Sequence, residues 1–398
     1  MTKTAGTELS FREQARELAP KLRERAEETE RLRRLPDETI ADIKKVGFFK
    51  MLRPKRYGGF ETDIKTYADV VVELSRACAS TGWIVALCGI RELMVAESFS
   101  EKAHDEIFGE NPDDVLFAGV YEPRKAVAYK VDGGYLIEEG FWMFCSGSQH
   151  ATWGYFGLPI RDDEGNLVDQ ILMTLPFKHM EIQDDWYSLG LKGSGSNSVK
   201  MHNVFIPDHR AVSFVEVLNG HFQSTHLRDI PLYNTALFPA LILSLGLPIL
   251  GAVKGALDLY LEKLPYRRAA NLGVEFLKDA ASTHLQVSEA ALKIDTAEMH
   301  FYRVIDELEH WAKSGKHMDP DHRIRALADI GYANKILREA LEIIIWASGS
   351  GFVYDGNPLQ RIIRDVITMN SHRSLSPTIT KENYGRILVG LPTNNVRF

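Results

Sequence analysis

The chain has 398 residues, 45% of them hydrophobic and 25% charged, with a net charge of −7 and a pI of about 6.0. These are ordinary values for a globular protein of two or three domains with ample core, and the acidic balance argues against a general nucleic-acid surface. The three cysteines, Cys78, Cys88 and Cys145, form no pair with metal or redox spacing, and their odd number points to a reducing cytoplasm.

The first residues, MTKTAGTELSFREQARELAP, lack the apolar core of a signal peptide. Residues 8 to about 112 read as helical. Pro36-Asp37-Glu38 opens one helix with acidic residues in its first turn. Thr62-Asp63 opens another, in which Ile64, Tyr67, Val71, Leu74 and Cys78 recur at three- and four-residue spacing. Ser80-Thr81-Gly82 is expected to end it, a very apolar helix follows over 83–95, and Ser100 is the expected N-cap of the next.

Between about 113 and 209 the period changes to that of strands, expected at 115–120, 126–131, 135–144, 153–160, 170–176 and 198–206. Asp132-Gly133-Gly134 and the run 162–166 (DDEGN) are turn signals between them. From about 210 the chain is helical again. Residues 236–253 hold no charge, but Pro239 and Pro248 interrupt them and no second uncharged run accompanies them, so they read as a buried helix rather than a membrane span. A helix over about 275–314 carries the stripe Ala291, Ile294, Ala297, Phe301, Val304, Leu308 and Trp311, long enough to suggest a bundle. Asp319-Pro320 starts another long helix that ends at the SGSG run 348–351. The expected fold is α+β and mostly helical: an N-terminal helical domain (1–112), a central antiparallel β barrel or sandwich (113–209) and a C-terminal four-helix-type domain (210–398).

Two stretches carry the chemistry. LGLKGSGSNSVKMHNVFIP (189–207) crowds glycines and hydroxyls into one turn, where the backbone can come close to a ligand and Ser194, Ser196 and Asn197 can hydrogen-bond it. FWMFCSGSQHATW (141–153) joins Trp142 and Phe144 to a small polar step at Ser146, which suits a flat apolar ring with a polar edge, such as a flavin.

These two stretches and the late RIIRD (361–365), in this order, resemble the acyl-CoA dehydrogenase superfamily over nearly the whole chain. Within it, ETERLRRLPDETIADIKKVGFF (28–49), RYGGF (56–60), CASTGWIVAL (78–87), SGSQHATW (146–153), DDWYSLGLKGSGSN (184–197) and RDVITMNSH (364–372) resemble the two-component flavin-dependent monooxygenases that hydroxylate p-hydroxyphenylacetate or a seco-steroid phenol. The resemblance implies reduced flavin, FMNH2 or FADH2, delivered by a separate NAD(P)H:flavin reductase. It also implies O2 as co-substrate, a C4a-hydroperoxyflavin as oxygen donor, a small aromatic substrate and a homotetramer. Neither nucleic acid nor membrane is an expected partner, and no metal site is expected.

By the same resemblance Ser146 lies near flavin N5, and His372 accepts a phenolic proton or hydrogen-bonds the phenolate. Trp142, Phe144, Ser194, Ser196 and Asn197 line the flavin, either Arg267 or Arg268 binds its phosphate, and Trp83, Arg91 and Tyr121 line the substrate pocket. Departures are also plain: Arg91 stands where some relatives carry a catalytic histidine, and Ile367 replaces another histidine. The alternatives are a same-fold monooxygenase acting on an indole, nitrogen or sulfur centre, and an acyl-CoA dehydrogenase. The latter needs a carboxylate base, and 367–380 contains neither Asp nor Glu.

Overall fold

The computed structural model describes residues 9–162, 164–269 and 273–394. Helix α1 (Phe11–Glu24) opens on a reciprocal cap in which Ser10 Oγ accepts the Glu13 amide and the Glu13 carboxylate accepts the Ser10 amide. Helices α2 (Ala26–Leu32) and α3 (Asp37–Val46) follow, and the Asp63 carboxylate caps α4 (Ile64–Ala77) by accepting the Thr66 amide at 2.6 Å. The chain breaks at Cys78, whose φ is −149°, and α5 (Ala79–Ser98) begins at once. The triplet Ser80-Thr81-Gly82 therefore lies in the first turn of α5 rather than ending α4. Gly82 serves the crossing instead, because a Cβ there would overlap Ser75 of α4. Ser100 stands at the N-cap of α6 (Glu101–Phe108), but its hydroxyl makes no capping bond.

The strands are β1 (Phe117–Ala118), β2 (Lys125–Val131), β3 (Gly134–Cys145), β4 (Trp153–Arg161), β5 (Leu167–Pro176), β6 (Glu181–Ile182), β7 (Asn197–Pro207) and β8 (Ala211–Ser213). They form a sandwich of two four-stranded sheets, ordered β1-β4-β5-β8 and β2-β3-β7-β6. Every strand pair is antiparallel except β1 with β4. Inward residues such as Ile137, Phe156, Leu158, Met173, Val199 and Met201 fill the space between the sheets. The expected strand over 115–120 shrinks to two residues, and the Gly119 carbonyl is taken by the Arg91 guanidinium. The short strands β6 and β8 lack enough residues to show alternation in the sequence.

The C-terminal part comprises α7 (Phe214–Leu218), α8 (Leu237–Lys263), α9 (Ala281–Ser314), α10 (Pro320–Ala347), α11 (Pro358–Asn370) and α12 (Pro377–Leu388). Helix α8 absorbs the uncharged run, with Pro239 in its first turn, where a missing amide is tolerated, and Pro248 inside. Among the described residues, helices α5 and α8 are long and apolar enough to cross a membrane, and their most apolar windows are 100% and 89% buried inside the fold. Helix α9 starts later than the sequence pattern suggests because 277–279 forms a separate 3-10 turn. Its buried line runs through Ala290, Ile294, Ala297, Phe301, Val304 and Leu308, with Ala290 in place of Ala291. Asp319 caps α10 by accepting the His322 amide. The principal core unites α4, α5, α8, α9 and α10, and the sandwich has a core of its own.

Candidate functional site

A bulge at the end of β3 sets the geometry. The register against β7 shifts between Trp142 and Cys145, and Phe144 adopts φ +67°. A bulky residue in this left-handed region is strained and persists only where its surroundings impose it. The bulge turns Trp142 and Cys145 inward, both 0% exposed, and throws Phe144 outward at 62% exposure. The Phe144 ring stands edge-on to Trp186, with centroids 6.1 Å apart and planes at 88°.

The next residue joins a chain of side chains. Trp83 Nε1 donates to Ser146 Oγ at 3.0 Å, Ser146 Oγ and Ser196 Oγ lie 2.7 Å apart, and Ser196 Oγ and Ser194 Oγ lie 2.6 Å apart. An indole N–H only donates, so Ser146 must accept from Trp83. When Ser196 donates to it as well, the Ser146 hydrogen is free to point at a ligand. The Gly147 amide donates to the Ser194 carbonyl and Ser148 Oγ to the Gly195 carbonyl, which fastens the two loops together.

The glycine-serine turn is held from behind by α11. Asp365 accepts the Leu191 amide at 2.6 Å, and the Arg364 guanidinium donates to the Leu189 carbonyl at 3.0 Å. Gly190 lies so close to the Arg364 carbonyl that any Cβ would collide with it. Glu30 of α2 pairs with Arg361 and Arg364. The RIIRD run thus latches the turn, and burial raises the Asp365 carboxyl to about 7 despite the Leu191 amide and the nearby arginines. Neither Asp365 nor Trp186 emerges as a site-building residue from the sequence; the signal was the RIIRD landmark itself, without a partner.

A second wall comes from α5, where Trp83, Leu87 and Arg91 follow at four-residue steps. Arg91 is 7% exposed and donates to the Leu87 carbonyl at 2.9 Å and the Gly119 carbonyl at 2.6 Å. The Tyr121 hydroxyl donates to Met94 Sδ at 3.1 Å, one helix turn further on, and its ring packs against Tyr155 and Phe214. The structure thus brings Trp83, Arg91 and Tyr121 onto one face, adjoining the serine chain through Trp83.

One expectation needs correction. Trp142 cannot line a ligand: it is fully enclosed in the sandwich, packs on Phe156 and donates its indole N–H to the Gly157 carbonyl. Plain alternation puts residues 142 and 144 on one face, and only the bulge separates them. Asn197 accepts the Trp186 amide and donates to the Gly195 carbonyl.

The two arginines lie in different surroundings. Arg267 lines a cleft of about 520 Å³ with Ser348, Ser350 and Asn357, and donates to the Ala347 carbonyl. Arg268 is exposed and bridges Phe276 through its backbone. The lining of this cleft includes no member of the serine chain. His372 lies exposed just after α11, where its Nδ1 accepts the Ser374 amide at 3.3 Å. That bond leaves the hydrogen of the neutral ring on Nε2. The dense packing around the ring disfavours the imidazolium and lowers the pKa, to about 4. The ring is therefore neutral at pH 7. No hydrogen bond joins His372 to the serine chain, and no carboxylate bonds to any member of that chain, among the described residues.

An outward aromatic face beside a hydroxyl with a free hydrogen fits a flat ring with a polar edge. A separate cationic cleft rich in hydroxyls fits a phosphate. Known proteins share this architecture. The acyl-CoA dehydrogenase N-terminal domain family matches residues 6–103, and the acyl-CoA dehydrogenase C-terminal domain family matches residues 243–377. HsaA, the oxygenase subunit of a flavin-dependent monooxygenase from Rhodococcus jostii, is 32% identical over 94% of this chain and 97% of its own. The oxygenase component of the FADH2-dependent resorcinol hydroxylase of a Rhizobium species is 28% identical over 94% of this chain and 92% of its own. The solved structure of XiaF from a Streptomyces species, in complex with FADH2 and glycerol, superimposes with a TM-score of 0.89 at 30% identity, covering 97% of this chain and 96% of that one.

Proposed function

This chain belongs to the acyl-CoA dehydrogenase family, among its flavin-dependent monooxygenase oxygenase subunits, and we propose that it hydroxylates a small phenolic ring with reduced flavin and O2. The observation that carries this reading is the Trp83-anchored chain of hydroxyls ending at Ser146, beside the outward Phe144. Bound reduced flavin supplies the electrons that activate O2. Phe144 would pack on the ring system, and Ser146 would donate its hydrogen to the ring's polar edge. Ser196 and Ser194 hold Ser146 in that orientation, and the buried wall of α5 keeps water from the reacting face.

His372, with its hydrogen on Nε2, donates to the phenolate oxygen of the substrate. Holding the phenolate in this way keeps the ring electron-rich towards the incoming oxygen. Arg267 would hold the flavin phosphate with the hydroxyls of its cleft. We assign reduction of the flavin to a separate reductase.

Assembly into a homotetramer would cover the apolar residues that α9 exposes at seven-residue spacing, Leu285, Leu292 and Met299, each at least 60% exposed. An acyl-CoA dehydrogenase would need a carboxylate at the reacting ring. No carboxylate bonds to the serine chain among the described residues: Asp365 accepts the Leu191 amide, Glu92 pairs with Arg53, and Glu97 accepts the Thr235 amide through one oxygen.

The test is rapid mixing of protein loaded anaerobically with reduced FMN or FAD against oxygenated buffer, with and without a panel of phenols. The expected result is slow flavin reoxidation with a transient near-ultraviolet absorbance and a hydroxylated product. Immediate release of free flavin with stoichiometric peroxide, together with bleaching of bound oxidised flavin by an acyl-CoA, would overturn it.

A further inference from the structure

We propose that Arg91 selects the substrate: the pocket takes an aromatic compound bearing an anionic oxygen, and the Arg91 guanidinium pairs with it. This inference rests on the monooxygenase reading of the same pocket.

Arg91 is more than nine-tenths buried, and among the described residues its hydrogen-bond partners are two backbone carbonyls, Leu87 O and Gly119 O. No carboxylate among the described residues pairs with it. Arg53, at 1% exposure, shows what the fold does with a buried guanidinium that serves structure. Its Nε and one terminal nitrogen grip the Glu92 carboxylate at 2.9 and 2.6 Å. Carbonyl dipoles satisfy hydrogen bonds but leave the Arg91 charge uncancelled, and a lone buried charge is costly.

The groups around Arg91 do not cancel it either. Burial pushes the Cys88 and Cys145 thiols each up to about 12, so both are neutral. The hydroxyls of Ser98, Tyr121 and Tyr155 gather on the same side. They make the surroundings polar, and Glu97, which also acts on Tyr155, accepts the Thr235 amide and is pushed by burial towards its neutral form.

Position supplies the second argument. Trp83, which orients the Ser146 hydroxyl, precedes Arg91 by eight residues on α5, about 12 Å of helix rise. A substituted single ring fits between a reaction point near Ser146 and a charge held at Arg91. The guanidinium is fixed there, because Gly119, whose carbonyl it binds, lies against the Tyr155 carbonyl too closely to admit a Cβ. A preorganised planar donor suits a carboxylate in a bidentate pair or a phenolate in a single one.

The experiment measures equilibrium binding to the flavin-loaded protein by calorimetry, with 4-hydroxybenzoate, 4-hydroxybenzamide and 4-nitrophenol as probes. If the anionic oxygen is a carboxylate, the wild type binds the acid about 10- to 100-fold more tightly than the amide. Arg91→Met abolishes that preference and Arg91→Lys keeps part of it. If the anionic oxygen is the phenolate, acid and amide bind alike. The wild type then binds 4-nitrophenol in its coloured, ionised form at a pH where free 4-nitrophenol is neutral, and Arg91→Met does not. A wild type that favours the amide, or shows neither effect, overturns the proposal, as does an Arg91→Met protein that keeps the wild-type preference. Should Arg91→Met fail to fold, the wild-type comparison and Arg91→Lys decide. Failure of the wild type to bind flavin would instead refute the monooxygenase reading, and the acid–amide comparison on the flavin-free protein would still judge Arg91.

Discussion

Replacing Ser146 by alanine separates the structural from the chemical work of the serine chain. The substitution removes the acceptor of the Trp83 indole N–H, on a side chain only 6% exposed. An unpaired buried donor costs about 1–3 kcal/mol, so the variant should be destabilised by that amount. Ser196 keeps its bond to Ser194, and the rest of the turn keeps its latch to Asp365. Flavin binding should therefore weaken only slightly. The chemical loss is one hydrogen bond at the polar edge of the ring, about 0.5–1.5 kcal/mol if neutral and more if charge develops there, which converts to a rise of roughly tenfold in the rate of peroxide escape. The assay is single turnover with excess phenol, counting peroxide and hydroxylated product per flavin oxidised, alongside urea denaturation. Ser196→Ala is the control one step along the chain. It should show a smaller stability loss, because Trp83 keeps its acceptor, and an intermediate leak. An unchanged peroxide yield in Ser146→Ala, or a larger leak in Ser196→Ala than in Ser146→Ala, would refute the polarity assigned to the chain.

Four further outcomes are expected. The Asp365 carboxyl lies at about 7 in the folded protein against an ordinary 3.8. Its contribution to stability is therefore full below about pH 4 and is lost as pH rises towards 7, with a ceiling of roughly 4 kcal/mol. Asp365→Asn, which keeps an acceptor for Leu191, should flatten that slope in denaturation measured from pH 5 to 8, and a slope equal to wild type would contradict the assignment. Phe144→Gly should be about 1 kcal/mol more stable than Phe144→Ala, because only glycine adopts φ +67° freely. Both should lose flavin affinity, and equal stability of the two would show the backbone is unstrained. Arg267→Ala should weaken binding of FMN about tenfold or more while Arg268→Ala leaves it near wild type, and fluorescence titration giving the reverse order would reassign the phosphate site. His372→Ala should lower product yield while slow flavin reoxidation persists, and a normal yield across pH would remove its role.

Much of the architecture was legible in the chain because it follows from local rules. Acidic caps start α4 and α10, the long strands begin and end within a few residues of their alternating runs, and the uncharged run of α8 becomes a buried helix. The resemblance of 141–153, 189–207 and 361–365 to flavin enzymes pointed to the family, since each motif is short and contiguous. Ser146, Ser194 and Ser196 could be picked out because hydroxyls beside glycines mark a ligand-facing turn.

What tertiary structure alone decided is how distant segments meet. Alternation cannot tell that β3 carries a bulge, and that bulge sends Phe144 out and seals Trp142 in. No pattern near Trp83 announces that its indole will orient a serine 63 residues away. Nor does RIIRD reveal that Asp365 closes the glycine-serine turn from behind. Periodicity and capping act within a few residues, so a sequence displays them directly. The direction of a hydroxyl hydrogen, the partner of a buried carboxylate and the isolation of the Arg91 charge depend on long-range packing, which exists only once the fold has formed.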